Sequence, residues 1–153
     1  MEPYLITTRD EFNLCVQRGF QPLLDNRFFR MDIQLRVEIQ KEIFGHCIFG
    51  RGDIPAANER FYRWVWNHKP HICEETMRPL KSYSATYISH ILTRGANPEI
   101  AHDPRNINIL SFECHNRWEN PGEGPERSRE TMRIYPGNMR IIELLKTEYQ
   151  FLK

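Results

Sequence analysis

An α+β fold follows from three features of this sequence. Apolar residues recur at helical spacing after Asp32, a Tyr/Ser/Thr/Ile stretch and a short "NINILS" segment flank a Gly/Pro loop, and helical spacing returns near the carboxy terminus. The 153 residues suit one domain, 1–153, because two well-filled cores need a longer chain. Hydrophobic residues make up 40% and charged residues 27%, the balance of a globular protein, and no apolar run reaches bilayer length. A membrane-spanning role is therefore not expected. "MEPYLITTRDEF" has early acidic residues and no apolar stretch of the signal-peptide kind, so a cytoplasmic location is expected. In a reducing compartment Cys15, Cys47, Cys73 and Cys114, far apart in sequence, are expected to be free thiols.

Residues 1–30 show no clean period and read as an irregular or partly stranded arm. Asp32 is a candidate N-cap for a helix in which Leu35, Ile39 and Ile43 recur every four residues, Val37 and Phe44 widen the apolar face, and Gly45 stops the run. "GRGDIPAAN" predicts a turn. A second helix starts near Pro55 or Asn58, carries Phe61, Trp64, Val65 and His68 on one face, and ends at Pro70. Between Pro79 and Leu92 the alternation of Tyr83, Ala85 and Tyr87 with Ser84, Thr86, Ile88 and His90 predicts a strand ending near His90. Gly95, Pro98 and Pro104 then demand a loop, "NINILS" predicts an antiparallel partner strand, and "FECHNRWEN" a short helix that "PGEGP" breaks. Two helical segments are expected in the tail, "ERSRETMRIY" and "MRIIELLKTEYQFL", the latter with Ile141, Leu144, Leu145 and Tyr149 able to face a core.

This order places two imidazoles, His90 and His115, at one hairpin-plus-helix unit. Phosphodiester hydrolysis needs a group to take the proton of the attacking water and positive charge to offset what builds on the phosphoryl oxygens. A neutral imidazole serves the first need and a divalent cation the second. "ISHIL" followed by "DPRNINILSFECHNRWE" resembles the HNH endonuclease motif, with His90, Asn106 and His115 at its three anchor positions and nine residues separating the last two. The resemblance covers about residues 70–120.

The resemblance implies a ββα-metal hairpin-plus-helix core, flanked by amino- and carboxy-terminal helices, that cleaves phosphodiester bonds, most naturally in double-stranded DNA, with Mg2+ or Mn2+. In it His90 would be the general base, Asn106 would fix the loop that holds His90, and His115 would be a metal ligand. Glu119 stands one turn further along the same helix, where it can share the ion. Ser89 occupies the place where the family carries an Asp or His ligand, and a neutral hydroxyl is a weaker donor to a hard cation. His102 is a further candidate, either a solvated loop residue or a phosphate contact. Many family members hold a structural zinc with two Cys-x-x-Cys pairs. Here "CEET" (Cys73, Thr76) and "SFEC" (Ser111, Cys114) keep one thiol each, so no structural zinc is expected and packing should replace it.

Arg94, Arg105 and Arg117 cluster around the motif as candidate phosphate contacts, and Lys81, Arg127, Arg129 and Arg133 could extend that surface. Glu99, Asp103, Glu126 and Glu130 are interleaved with them, which equally describes a solvated face of mixed charge, and the formal net charge of +1 favours neither. Asn106 after "DPR" is also an ordinary turn residue. Trp64 at helical spacing from Phe61 is expected in the core rather than as a base-stacking platform, with Trp66 and Trp118 open to either role. The alternative to an endonuclease is a catalytically weakened nucleic-acid-binding module on the same fold. A structural or assembly protein, in which the histidines only stabilise the hairpin, is the third class.

Overall fold

The computed structural model describes residues 2–45 and 54–152, without the side chain of Ile54. Its helices and strands are β1 (Tyr4–Ile6), α1 (Arg9–Gln17), β2 (Phe29–Met31), α2 (Ile33–Phe44), α3 (Ile54–His68), β3 (Ile88–His90), β4 (Ile107–Ile109), α4 (Phe112–Glu119) and α5 (Tyr135–Tyr149). Single 3-10 turns at Ala85–Tyr87 and Pro104–Asn106 lead into β3 and β4. The mixture is α+β. Among the described residues no helix is long and apolar enough to cross a membrane.

The amino-terminal arm is more regular than its sequence suggests. β1 and β2 pair in parallel, Tyr4 with Phe29 and Ile6 with Met31, and α1 connects them. Thr8 and Glu11 form a reciprocal capping box: Thr8 Oγ1 accepts from Glu11 N at 3.2 Å and Glu11 Oε1 accepts from Thr8 N at 3.1 Å. The signature T-x-x-E stands in "TTRDEF", but the helix it starts buries Phe12 alone, too little to show as a period. Asp32 caps α2 as expected, its carboxylate accepting from Leu35 N at 3.1 Å, and Gly45 ends it at φ 96°, a conformation open to glycine.

The β3–β4 hairpin is antiparallel, with Ile88 opposite Ile109, Ser89 opposite Asn108 and His90 opposite Ile107. Cross-strand partners share a face. Ile88, Ile107 and Ile109 therefore pack on one side against Phe44, Phe61, Val65 and Trp66, largely from α3. Beyond the strands Ile91 and Leu110 pack with Cys73, Trp118, Met132 and Ile134 under α4. Each such buried side chain contributes roughly 1.5–3 kcal/mol. Trp118 donates from Nε1 to Ile91 O at 3.2 Å, so both Trp66 and Trp118 are core residues. Trp64 is half-buried and stacks on His68 with centroids 3.9 Å apart.

Three sequence expectations are corrected. The strand expected from Pro79 begins only at Ile88, because Ser84 Oγ and Ser84 O take the Thr86 and Tyr87 amides into a 3-10 turn instead of a ladder. "ERSRETMRIY" is not a helix. Successive turns follow Gly124, Met132 N donating to Arg129 O at 3.0 Å and Tyr135 N to Met132 O at 3.1 Å, with Met132 and Ile134 buried and Arg133 exposed between them. The second helix begins at Ile54, earlier than Pro55 or Asn58, while the first part of "GRGDIPAAN" and the Cys47 thiol lie outside the described residues. Cys15, Cys73 and Cys114 are free thiols.

A buried charged cluster joins the amino-terminal half to the hairpin and α5. Asp103, fully buried, meets Arg105 at 2.7 Å and Arg36 at 3.4 Å, and accepts a hydrogen bond from Tyr149 Oη at 2.9 Å. Burial works against its charge, but the two guanidinium groups outweigh it and hold the carboxyl down at about 2. Arg36 also donates to Leu23 O and Pro22 O, and Arg105 pairs with Glu148 at 2.9 Å. Asp103→Asn, which leaves two buried guanidiniums against Glu148 alone, is expected to cost about 3–5 kcal/mol. Urea melts of the two proteins measure the difference, and a loss below about 1 kcal/mol would show that the cluster does not hold these elements together.

Candidate active site

His90 ends β3 with its ring against Phe61 and Tyr62 of α3, at centroid distances of 6.3 and 6.0 Å. Its Nε2 lies 3.0 Å from Ala101 O. A carbonyl only accepts, so Nε2 carries the proton and Nδ1 is left as the ring's proton acceptor. Burial, more than the nearby Arg94 charge, lowers the His90 pKa to about 4, although the Ala101 contact opposes the shift. At neutral pH the ring is an uncharged base.

Asn106 is fully buried and works like a piece of ladder. Its Oδ1 accepts from Leu92 N at 2.8 Å and its Nδ2 donates to Leu92 O at 2.9 Å, while its carbonyl accepts from Ile91 N at 2.8 Å. These bonds fix the chain one and two residues past His90. Its own amide closes the preceding turn on Asp103 O at 2.9 Å, so main chain and side chain of Asn106 make separate contacts.

His115 and Glu119 occupy successive turns of α4. His115 Nδ1 donates to Thr86 O at 2.6 Å, and Nε2 lies 2.9 Å from Glu119 Oε1. With a proton on Nδ1, Nε2 is a buried polar atom without a hydrogen-bond partner among the described residues. A lone pair held against a carboxylate oxygen is repulsive unless a proton or a cation lies between them. Imidazole nitrogen and carboxylate oxygen together suit a divalent transition ion such as Mn2+, and the carboxylate suits Mg2+. Among the described residues no three His, Cys, Asp or Glu side chains converge, so the donor set stops at these two.

His90, Arg94, His115, Glu119, Tyr62 and Ile88 line one open pocket of about 320 Å3. Arg94 sits at its exposed rim, donating to Tyr62 Oη at 2.9 Å. Ser89 does not line the pocket. It stands opposite Asn108 and leaves the sheet on the face away from His90, fully buried, its Oγ without a hydrogen-bond partner among the described residues.

The other expected phosphate contacts are placed elsewhere. Arg105 is 6% exposed and committed to Asp103 and Glu148, which makes it a structural cation rather than a DNA ligand. Arg117 ties α4 to the following turns, donating to Ser128 O and Pro125 O at 2.8 Å each and to Thr131 Oγ1. Arg129 covers the Trp118 ring at 4.3 Å and donates to Trp118 O. His102, expected on a solvated loop, is buried between Asn58 Oδ1 (2.8 Å) and Gly45 O (3.4 Å) and stacks on Phe61 at 4.9 Å. The sequence offered no sign of Ala101, which acts through its carbonyl, or of Tyr62, one residue from the core Phe61.

Cys73 and Ser111, two of the four positions of the degenerate cysteine pairs, meet at 3.7 Å (Sγ to Oγ), and Cys114 N lies 3.5 Å from the same Ser111 Oγ. Burial pushes the Cys73 thiol up, but hydrogen bonds from Ser111 and Thr76 outweigh it and bring it to about 7. The Cys114 thiol is pushed up by burial. Around them Ile91, Leu110, Trp118, Met132 and Ile134 supply the packing.

No family model, curated protein or solved structure matches the chain.

His102 also binds its second proton poorly, burial lowering its pKa from 6.5 to about 4. Between those values the unfolded chain holds more protons, so stability is complete above about pH 6.5 and is lost as pH falls towards 4. Thermal melts should therefore show a midpoint that declines from about pH 7 to about pH 4.5. His102→Gln is expected to flatten the decline, and an unaltered slope in that variant would remove His102 as its cause.

Proposed function

We propose that this chain is a metal-dependent endonuclease of the HNH type that hydrolyses phosphodiester bonds in DNA, with β3, β4 and α4 as its ββα-metal unit. The observation that carries the proposal is the neutral His90 ring, tautomer fixed by Ala101 O, in the same pocket as the His115–Glu119 donor pair.

In this proposal His90 Nδ1 takes a proton from water as the water oxygen bonds to phosphorus and the leaving oxygen departs. Asn106 keeps the ring in place by clamping Leu92, so the base spends little of its alignment on loop motion. Arg94, at the pocket rim, orients a non-bridging phosphate oxygen. A divalent cation held by His115 and Glu119 supplies, when bound, positive charge against the non-bridging and leaving oxygens. Two protein donors leave the remaining positions to water and substrate, a common arrangement for Mg2+.

A catalytically weakened DNA-binding module is the second reading, favoured by Ser89. The position before the base carries a neutral hydroxyl turned away from the pocket, so it adds no third donor.

Supercoiled plasmid incubated with protein and Mg2+ or Mn2+ separates the two. Wild type is expected to nick, and His90→Ala to lose at least ~100-fold in rate, the usual worth of a positioned base. His115→Ala should demand more Mn2+ for the same rate. Wild type as inert as His90→Ala across both metals, with DNA binding retained, would reject turnover in favour of the module.

A further inference from the structure

We infer that the cavity between α5, β4 and the chain after α3 is a second phosphate-binding groove, which grips the backbone of the DNA strand beside the hydrolytic pocket. It is open to solvent and, at about 680 Å3, larger than the pocket of His90 and His115. Lys69, Arg133 and Arg140 line it, with Asn108, Asn138 and Glu74 as polar wall.

The charges are not equivalent. Lys69 is neutralised by Glu74 at 2.8 Å and also donates to Ile107 O at 2.9 Å. Asn108 is held by Glu74 at 3.0 Å and by Asn138 at 2.7 Å, so these groups form a fixed, satisfied wall. Arg133 is anchored only through its main chain, its amide donating to Glu75 at 2.9 Å. The guanidinium groups of Arg133 and Arg140 are exposed and have no partner among the described residues. Two free forks of donors on a wall whose carboxylate, Glu74, is already paired make a site for an anion, and a guanidinium matches phosphate oxygens two at a time.

An extended polyanion fits better than a small free anion. The cavity is open rather than enclosed, and it shares the hairpin with the pocket. Ile91, which directly follows His90, and Ile107, its ladder partner, both line the groove, while His90 lines the pocket. Both sites therefore border the same hairpin. The identity of the polyanion as DNA rests on the proposed nuclease function; the anion groove itself does not.

The test uses the full chain and a fluorescein-labelled duplex of about 20 base pairs in Ca2+, with anisotropy followed from about 25 to about 200 mM KCl. The double variant Arg133→Ala/Arg140→Ala is expected to bind roughly tenfold more weakly at low salt and to lower the slope of log affinity against log salt by about 2, one for each phosphate that is no longer gripped. Its melting curve should match wild type, because neither guanidinium holds another residue. An unchanged affinity and slope, or no DNA binding by wild type at the lowest salt, overturns the groove. If the variant binds as wild type while His90→Ala abolishes nicking, the groove fails and the nuclease stands. If affinity and slope fall as expected but wild type never nicks, the groove stands and the nuclease fails.

Discussion

Asp103 is the carboxylate on which the geometry of the site depends. Its charge is kept by Arg36 from α2 and by Arg105 two residues on, and Tyr149 of α5 adds a hydrogen bond. One fully buried side chain thus binds together the amino-terminal half, the long connection and the carboxy-terminal helix. The same residue caps the 3-10 turn Pro104–Asn106, its Oδ1 accepting from Arg105 N at 3.0 Å. The turn delivers Asn106 to Leu92, and the residues just before it carry Ala101 O to His90. Breaking a buried pair of this kind leaves an uncompensated charge, which is costly in a region closed to water.

Two histidines of opposite tautomer follow from that framework. His90 gives its proton from Nε2 to Ala101 O, and His115 gives its proton from Nδ1 to Thr86 O. Each ring is oriented by a main-chain carbonyl, which only accepts, so Nδ1 of His90 and Nε2 of His115 are the nitrogens left for other partners. Their surroundings also differ. His90 is packed against Phe61 and Tyr62 and stays neutral, suited to taking a proton, whereas His115 faces the Glu119 carboxylate, suited to holding a cation. One face of the hairpin packs on α3, the other carries Ser89 and Asn108, the latter bonded to Glu74 and Asn138, and the residues just beyond the strands, Ile91 and Leu110, pack with Trp118, Met132 and Ile134. A three-residue strand pair has little stability alone, and here contacts on both faces replace length.

Much of this was legible in local pattern. Asp32 and Gly45 bracket α2, the spacing of Phe61 and Val65 marks the buried face of α3, and "NINILS" and "FECHNRWEN" form β4 and α4, because capping and periodicity are properties of a few consecutive residues. The capping box in "TTRDEF" was equally readable, though the helix behind it has too few buried positions to announce itself. The motif resemblance and its surroundings singled out His90, Asn106, His115, Glu119, Ser89, Arg94, Arg105 and Arg117, of which His90, Arg94, His115 and Glu119 line one pocket.

Tertiary structure alone decided what long-range contact and burial determine. Arg105 reads as a phosphate contact and His102 as a solvated loop residue or phosphate contact, yet the loop that carries them folds inward, so one becomes a core ion pair and the other a buried stacked ring. Arg117 and Arg129 are spent on carbonyls of their neighbours, while Arg133 and Arg140 are left free. Ser89 adjoins His90 in sequence but leaves the sheet on the opposite face, since successive side chains of a strand alternate. Sequence order determined which residues could act; the partners each one meets, often many tens of positions away, determined which are free to do so.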